Sequence, residues 1–228
     1  MEQAFGLSIP RTVAQACDPG RLALLVYDMQ VGVLGQISNA DQVTASVVRT
    51  VDAARAGGYR VFYLRHMGIP NEVSGVTRLR MAMAWQRTDR VADVHPVFLR
   101  GSAEFALTPA LAPSPAEMIF DKVTMSAFVG TPLDLVLRDC GINSFAICGV
   151  ATEVGIDPTV RHAADLGYLP IVVSDACGAG NAAAAERAIE GLRFAGDALI
   201  TDTDTLCPLL AGDRSTGSGA GPTWAPPS

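Results

Sequence analysis

Residues 144–159 read SFAICGVATEVGIDPT, and the parsing of this stretch decides the fold. Its first seven residues, SFAICGV, are apolar on both faces, which predicts a strand buried from two sides in a parallel sheet. Asp157-Pro158 then predicts a helix start, with Asp157 at the N-cap and Pro158 at the first helical position. Between strand and helix lies the turn GVATEVG (149–155). Turns of this kind gather backbone N–H groups that favour an anion, and they are a common seat for a nucleophile. Gly155 carries neither thiol nor hydroxyl.

The same rhythm extends in both directions. LALLVY (22–27), YRVFYLR (59–65), EMIF (117–120) and LPIVVS (169–174) predict further buried strands, with ALI (198–200) as a sixth. Val43, Val47, Val48, Val51 and Ala54 recur at helical spacing, and Gly57-Gly58 ends the pattern. Helices are also predicted from Thr131-Pro132 to Gly141, from Asp157 to near Gly167, and from Asn181 to near Phe194. This alternation predicts an α/β fold, a doubly wound parallel sheet flanked by helices. Residues 67–116 break the rhythm with five prolines (Pro70, Pro96, Pro109, Pro113 and Pro115). They read as an irregular insertion over the sheet, with a short helix at 77–85, that walls a substrate site. The chain divides into an N-terminal extension (1–20), one domain (21–210) and a Gly/Ser/Pro-rich tail (211–228). The tail is expected to be disordered, with Trp224 incidental.

Composition narrows the function classes. Of 228 residues, 49% are hydrophobic, and the formal net charge is −6. Nothing here favours a nucleic acid or an anionic membrane as partner. There is no secretory pattern at MEQAFGLSIPR and no apolar run of membrane-spanning length, so a cytoplasmic protein is expected. Five scattered cysteines read as reduced thiols, and three histidines without zinc-ligand spacing argue against a protein-built zinc site. Of 17 basic residues, Lys122 alone is a lysine. Codon bias toward arginine explains the sixteen. The exception is a compact ammonium whose pKa shifts on burial, the property that acid–base chemistry uses.

Ligands of open parallel sheets bind beyond the carboxyl ends of the strands. Asp28, His66, Lys122, the GVATEVG turn and Asp175 all fall at such ends. Asp28 follows a buried strand and needs a partner, for which Lys122 is the candidate. The plain alternative is an ion pair that only closes the sheet. Cys148 and Cys140 read as core, and Cys177 is the best-placed thiol. Met67, Met81, Met83 and Trp85 fit either a core or an adaptable pocket wall.

Three motifs in this order, LLVYDMQ (24–30), K-x-x-x-S-A-F (122–128) followed by GTPLD, and GVATEVG (149–155), resemble the isochorismatase-like hydrolase superfamily over roughly residues 20–205. The resemblance implies a six-stranded sheet of order 3-2-1-4-5-6 and a homodimer or homotetramer. It implies that Asp28 and Lys122 are catalytic, that Val150–Ala151 is a non-proline cis peptide, and that the amides of Ala151 and Gly155 form an oxyanion hole. Cysteine hydrolases of the superfamily carry their nucleophile at the seventh position of GVATEVG, which is Gly155 here. The glycine is expected to leave room where a sulfur would stand. Isochorismatases also carry Gly there and use the Asp as an acid to cleave a vinyl ether. RHMGIPNE (65–72) does not match the metal-binding Asp and His residues of nicotinamidases, so neither metal nor cofactor is expected.

These readings combine into a hydrolase of a small polar molecule in which water attacks and an Asp28–Lys122 pair moves the proton. His66, Arg80, Trp85, Phe128 and Thr152 are expected to line the substrate pocket. Two alternatives stand beside it. One is a non-catalytic relative that binds a small molecule. The other is an amidohydrolase using Cys177 or Thr152 as its nucleophile.

Overall fold

The apolar run 22–27 forms strand β1 (Leu22–Tyr27), and all six of its residues are buried. The computed structural model describes residues 1–212, so the tail expected at 211–228, with Trp224, lies outside the described residues beyond Gly212. The other predicted runs form β2 (Arg60–His66), β3 (Met118–Lys122), β4 (Ser144–Val150), β5 (Leu169–Gly178) and β6 (Leu199–Thr201). They make one parallel sheet of order β3-β2-β1-β4-β5-β6, the expected 3-2-1-4-5-6.

Alternate residues of β1 serve two cores. Leu22, Leu24 and Val26 pack with Val43, Val47 and Val51 of helix α1 (Ala40–Ala56). Ala23, Leu25 and Tyr27 face the opposite core. There they join Leu133 and Leu137 of a helix at Leu133–Asp139, and Val160 and Ala163 of a helix at Asp157–Asp165. Burial of these apolar side chains is the dominant favourable term for such a layer structure.

The insertion folds over the carboxyl edge of the sheet. It carries helix α2 (Val76–Gln86) and two single 3₁₀ turns, Asn71–Val73 and Val91–Asp93. Ahead of the sheet, Glu2–Ala4 and Leu7–Ile9 pair as an antiparallel hairpin. No helix among the described residues is long and apolar enough to cross a membrane.

Two local readings change. β5 continues through Ser174 and Asp175 to Gly178, with a register shift against β4 between Ile147 and Gly149. Asp175 therefore lies within the strand, where it accepts from Thr203 N at 2.8 Å, and not at a ligand-facing end. Asp157 does not cap its helix. A π turn, Thr152–Ile156, begins the helical path earlier, and the Asp157 carboxylate pairs with Arg161 Nε at 3.0 Å.

Candidate active site

Four adjacent strands deliver one polar cluster at their carboxyl ends. β1 ends at Tyr27, and Asp28 follows with φ 46°, a left-handed conformation that aspartate tolerates better than most residues. Its backbone N–H donates to Leu64 O of β2 at 3.0 Å, which fixes the carboxylate over the sheet edge. β2 and β3 place His66 and Lys122 side by side in register. β4 ends at the Val150–Ala151 peptide, which is cis.

Lys122 Nζ donates to Asp28 Oδ2 at 2.7 Å and lies 4.2 Å from the centroid of the Tyr27 ring. The lysine is 1% exposed and the aspartate 6%. Burial pushes the Asp28 carboxyl up to about 6, with Lys122 opposing the shift, and burial lowers the Lys122 ammonium. Asp28 Oδ1 is buried without a hydrogen-bond partner among the described residues. Asp28 lines a cavity of about 390 Å³, whose wall includes Tyr27, His66, Trp85, Ala151 and Gly155. Lys122 does not line it and reaches it through Asp28.

Gly155 departs from expectation. A Cβ built on it would stand 2.3 Å from the Tyr27 hydroxyl and 2.4 Å from a ring carbon. The position leaves no room for a thiol, because the buried phenol of Tyr27 already fills that space and donates to Met125 O. The Gly155 amide is also engaged: it donates to Ala151 O at 3.0 Å. The donors left at this turn are those of its first residues, which reach no intrahelical carbonyl. Ala151 N stands at the same corner.

The remaining candidates divide. His66 lines the cavity, is 8% exposed, and has an unpartnered Nδ1. Burial, with Lys122 and Arg78 nearby, lowers its pKa to about 3, so the ring is neutral. Trp85 also lines the cavity. Arg80 does not: it is exposed, and the helical phase turns Arg78 inward to the Val123 carbonyl. Phe128 is a core residue stacked on Tyr168 with centroids 5.6 Å apart. Thr152 is buried and donates to Gly178 O at 2.9 Å, outside the cavity wall. Cys177 also stands outside the wall, facing Ile147 O at 3.8 Å, with burial pushing its thiol up to about 12. Neither alternative nucleophile is positioned or activated to attack a ligand beside Asp28.

The sequence pattern of the isochorismatase domain matches residues 22–204. The chain belongs to the isochorismatase family, and it is a hydrolase. Among family members, the ureidoacrylate amidohydrolase RutB of Methylobacterium radiotolerans is 31% identical over 176 residues, spanning 71% of this chain and 68% of the relative. The RutB of Serratia proteamaculans is 29% identical and spans 92% and 91%. A cysteine hydrolase from Pseudomonas syringae pv. phaseolicola superposes with a TM-score of 0.72 at 25% identity, covering 86% of this chain and 95% of that one. N-carbamoylsarcosine amidase from Thermoplasma acidophilum shares the isochorismatase-family fold, with a TM-score of 0.66 at 21% identity over 81% and 97%.

Sequence reasoning missed two residues of this isochorismatase-family site. Tyr27 reads as an ordinary strand residue, and no linear pattern shows that its ring meets Gly155. Gln30 is fully buried: its Oε1 accepts from His66 N at 2.7 Å, and its Nε2 donates to His66 O at 3.0 Å. Its only signal is a polar residue inside LLVYDMQ.

Proposed function

We propose that this isochorismatase-family hydrolase cleaves a small polar molecule with water as the attacking group and Asp28 as the proton-transfer residue. The observation that carries this reading is the buried Asp28–Lys122 pair, whose aspartate lines the cavity beside a glycine whose side-chain space is occupied by Tyr27. A carboxyl held near 6 exists in both protonation states close to neutral pH, as a general acid requires. Acid-assisted cleavage of a vinyl ether fits best. Asp28 protonates the terminal vinyl carbon, and water adds to the resulting oxocarbenium ion and returns a proton to Asp28. The hemiketal then collapses to an alcohol and a carbonyl compound. Lys122 is a positioning residue that holds Asp28 and balances its charge. Ala151, which lines the cavity at the start of the 152–156 turn, offers its backbone N–H to developing or resident negative charge.

Similarity to ureidoacrylate amidohydrolases supports a second reading, hydrolysis of a C–N bond by the same groups. A panel of vinyl ethers, ureides and amides, assayed with wild type and Asp28→Asn, tests both. Turnover that disappears in Asp28→Asn, with no mass added to the protein, is expected. Turnover retained by Asp28→Asn, or a covalent adduct on Cys177 or Thr152, would overturn the reading.

A further inference from the structure

The Asp28 cavity abuts a second one of about 450 Å³ beneath α2. The two share Gln36, His66, Trp85, Phe98 and Met125 as wall residues. The second compartment is apolar in what it presents. Ile69, Leu79, Met81, Val97 and Phe98 line it. Several of its polar wall residues are engaged with the backbone: Asn71 Nδ2 donates to Val94 O at 2.6 Å, Thr124 Oγ1 donates to Val129 O at 2.7 Å, and Arg78 donates to Val123 O. Gln86 is paired with the backbone of His95 in both directions, at 2.8 and 2.9 Å. An apolar space of this size is a poor host for ordered water and a good one for a ligand group. At the joint stands His66, edge-on to Phe98, with its buried Nδ1 unpartnered. A neutral imidazole there offers one hydrogen bond to the middle of a ligand that reaches into both compartments.

We infer that the substrate carries an aromatic or branched aliphatic group, which lodges beneath α2 while the cleavable polar end meets Asp28 and His66 bonds the segment between them. This deepens the proposed function and rests on it for the site of cleavage. It assigns the specificity to Leu79, Met81 and Phe98, residues of the insertion and not of the catalytic edge.

Calorimetric titration of the full chain with matched ureas tests it: N-methylurea against N-(2-phenylethyl)urea. The phenyl member is expected to bind at least about tenfold tighter, as burial of several carbons requires. Ala82→Phe, which fills the compartment wall, is expected to bring the ratio close to one. Leu79→Asn, which makes the wall polar without adding bulk, is expected to lower it in the same direction, with circular dichroism reporting the fold of each variant. Equal affinities in wild type, no binding by either urea, or an unchanged ratio in whichever variants fold would overturn the proposal. Binding is read without turnover, so a failed catalytic reading leaves the affinity ratio standing. Conversely, a ratio of one leaves the role of Asp28 standing.

Discussion

The Tyr27 hydroxyl stands 2.3 Å from the point that a Cβ on Gly155 would occupy, so the two residues compete for one volume. Gly155→Ala is therefore expected to push the buried phenol aside, at about 1–3 kcal/mol of stability. Tyr27→Ala, which empties a fully buried site, is expected to cost about 3–5 kcal/mol. The double variant should be less destabilised than the sum, by about 0.5–3 kcal/mol, because the new methyl enters the vacated space. Urea unfolding of the four proteins gives the coupling. Strict additivity would show that the two side chains do not contend.

Lys122→Met should be strongly destabilising. It removes the ammonium 2.7 Å from a carboxylate that is itself 6% exposed. A buried charge left without its partner costs about 3–5 kcal/mol. The carboxyl escapes by binding a proton, so its pKa should climb further above 6 in this variant. The loss should then be large at pH 8 and smaller at pH 5. Asp28→Asn retains an acceptor for the ammonium and should cost less than Lys122→Met at pH 8. Equal losses at the two pH values would contradict a charged Asp28.

The pH dependence of turnover separates acid from base. Asp28 is held at about 6, and acid-assisted cleavage needs its protonated form. kcat/KM for a vinyl ether should fall above about pH 6, approaching about tenfold per pH unit. His66, lowered to about 3, is neutral across this range and does not supply the break. A rate that instead rises through pH 6 would assign Asp28 the role of base.

The parts of this fold that the sequence made legible are those under double burial. β1 and β4 occupy the predicted residues because strands covered on both faces read as unbroken apolar runs. Asp28, His66 and Lys122 were visible because a parallel sheet collects strand-end residues at one edge. What escaped depends on direction and phase. A helix tolerates polar residues at any exposed position, so nothing marked Arg78 over Arg80 as the inward one. Phe128, expected at the pocket, lies in the core, since an aromatic suits a pocket wall and a core equally well. The last helix, Thr203–Leu210, has an N-cap signal in Asp202 but holds Pro208, which masks it. The Glu2–Ala4 and Leu7–Ile9 hairpin is too short and exposed for a periodic pattern.

His66 should make one of two opposing contributions to the acid sensitivity of folding. Its pKa falls from 6.5 to about 3 on folding, so between those values the unfolded chain holds a proton that the folded chain does not. That contribution to stability is complete above pH 6.5 and is lost as pH falls toward 3, at up to ~1.4 kcal/mol per pH unit. Asp28 acts in the opposite sense: raised from 3.8 to about 6, it binds a proton more readily when folded, so its contribution declines as pH rises from 3.8 to 6. Between pH 4 and 6 the two nearly cancel in the wild type. His66→Gln removes one of them, and the difference in stability between wild type and variant should shift in favour of the variant as pH falls from 6 to 4. Urea unfolding at pH 4, 5 and 6 measures that difference. A constant difference across the three values would mean that His66 titrates alike in the folded and unfolded chains, and that its ring is not sealed beside Lys122.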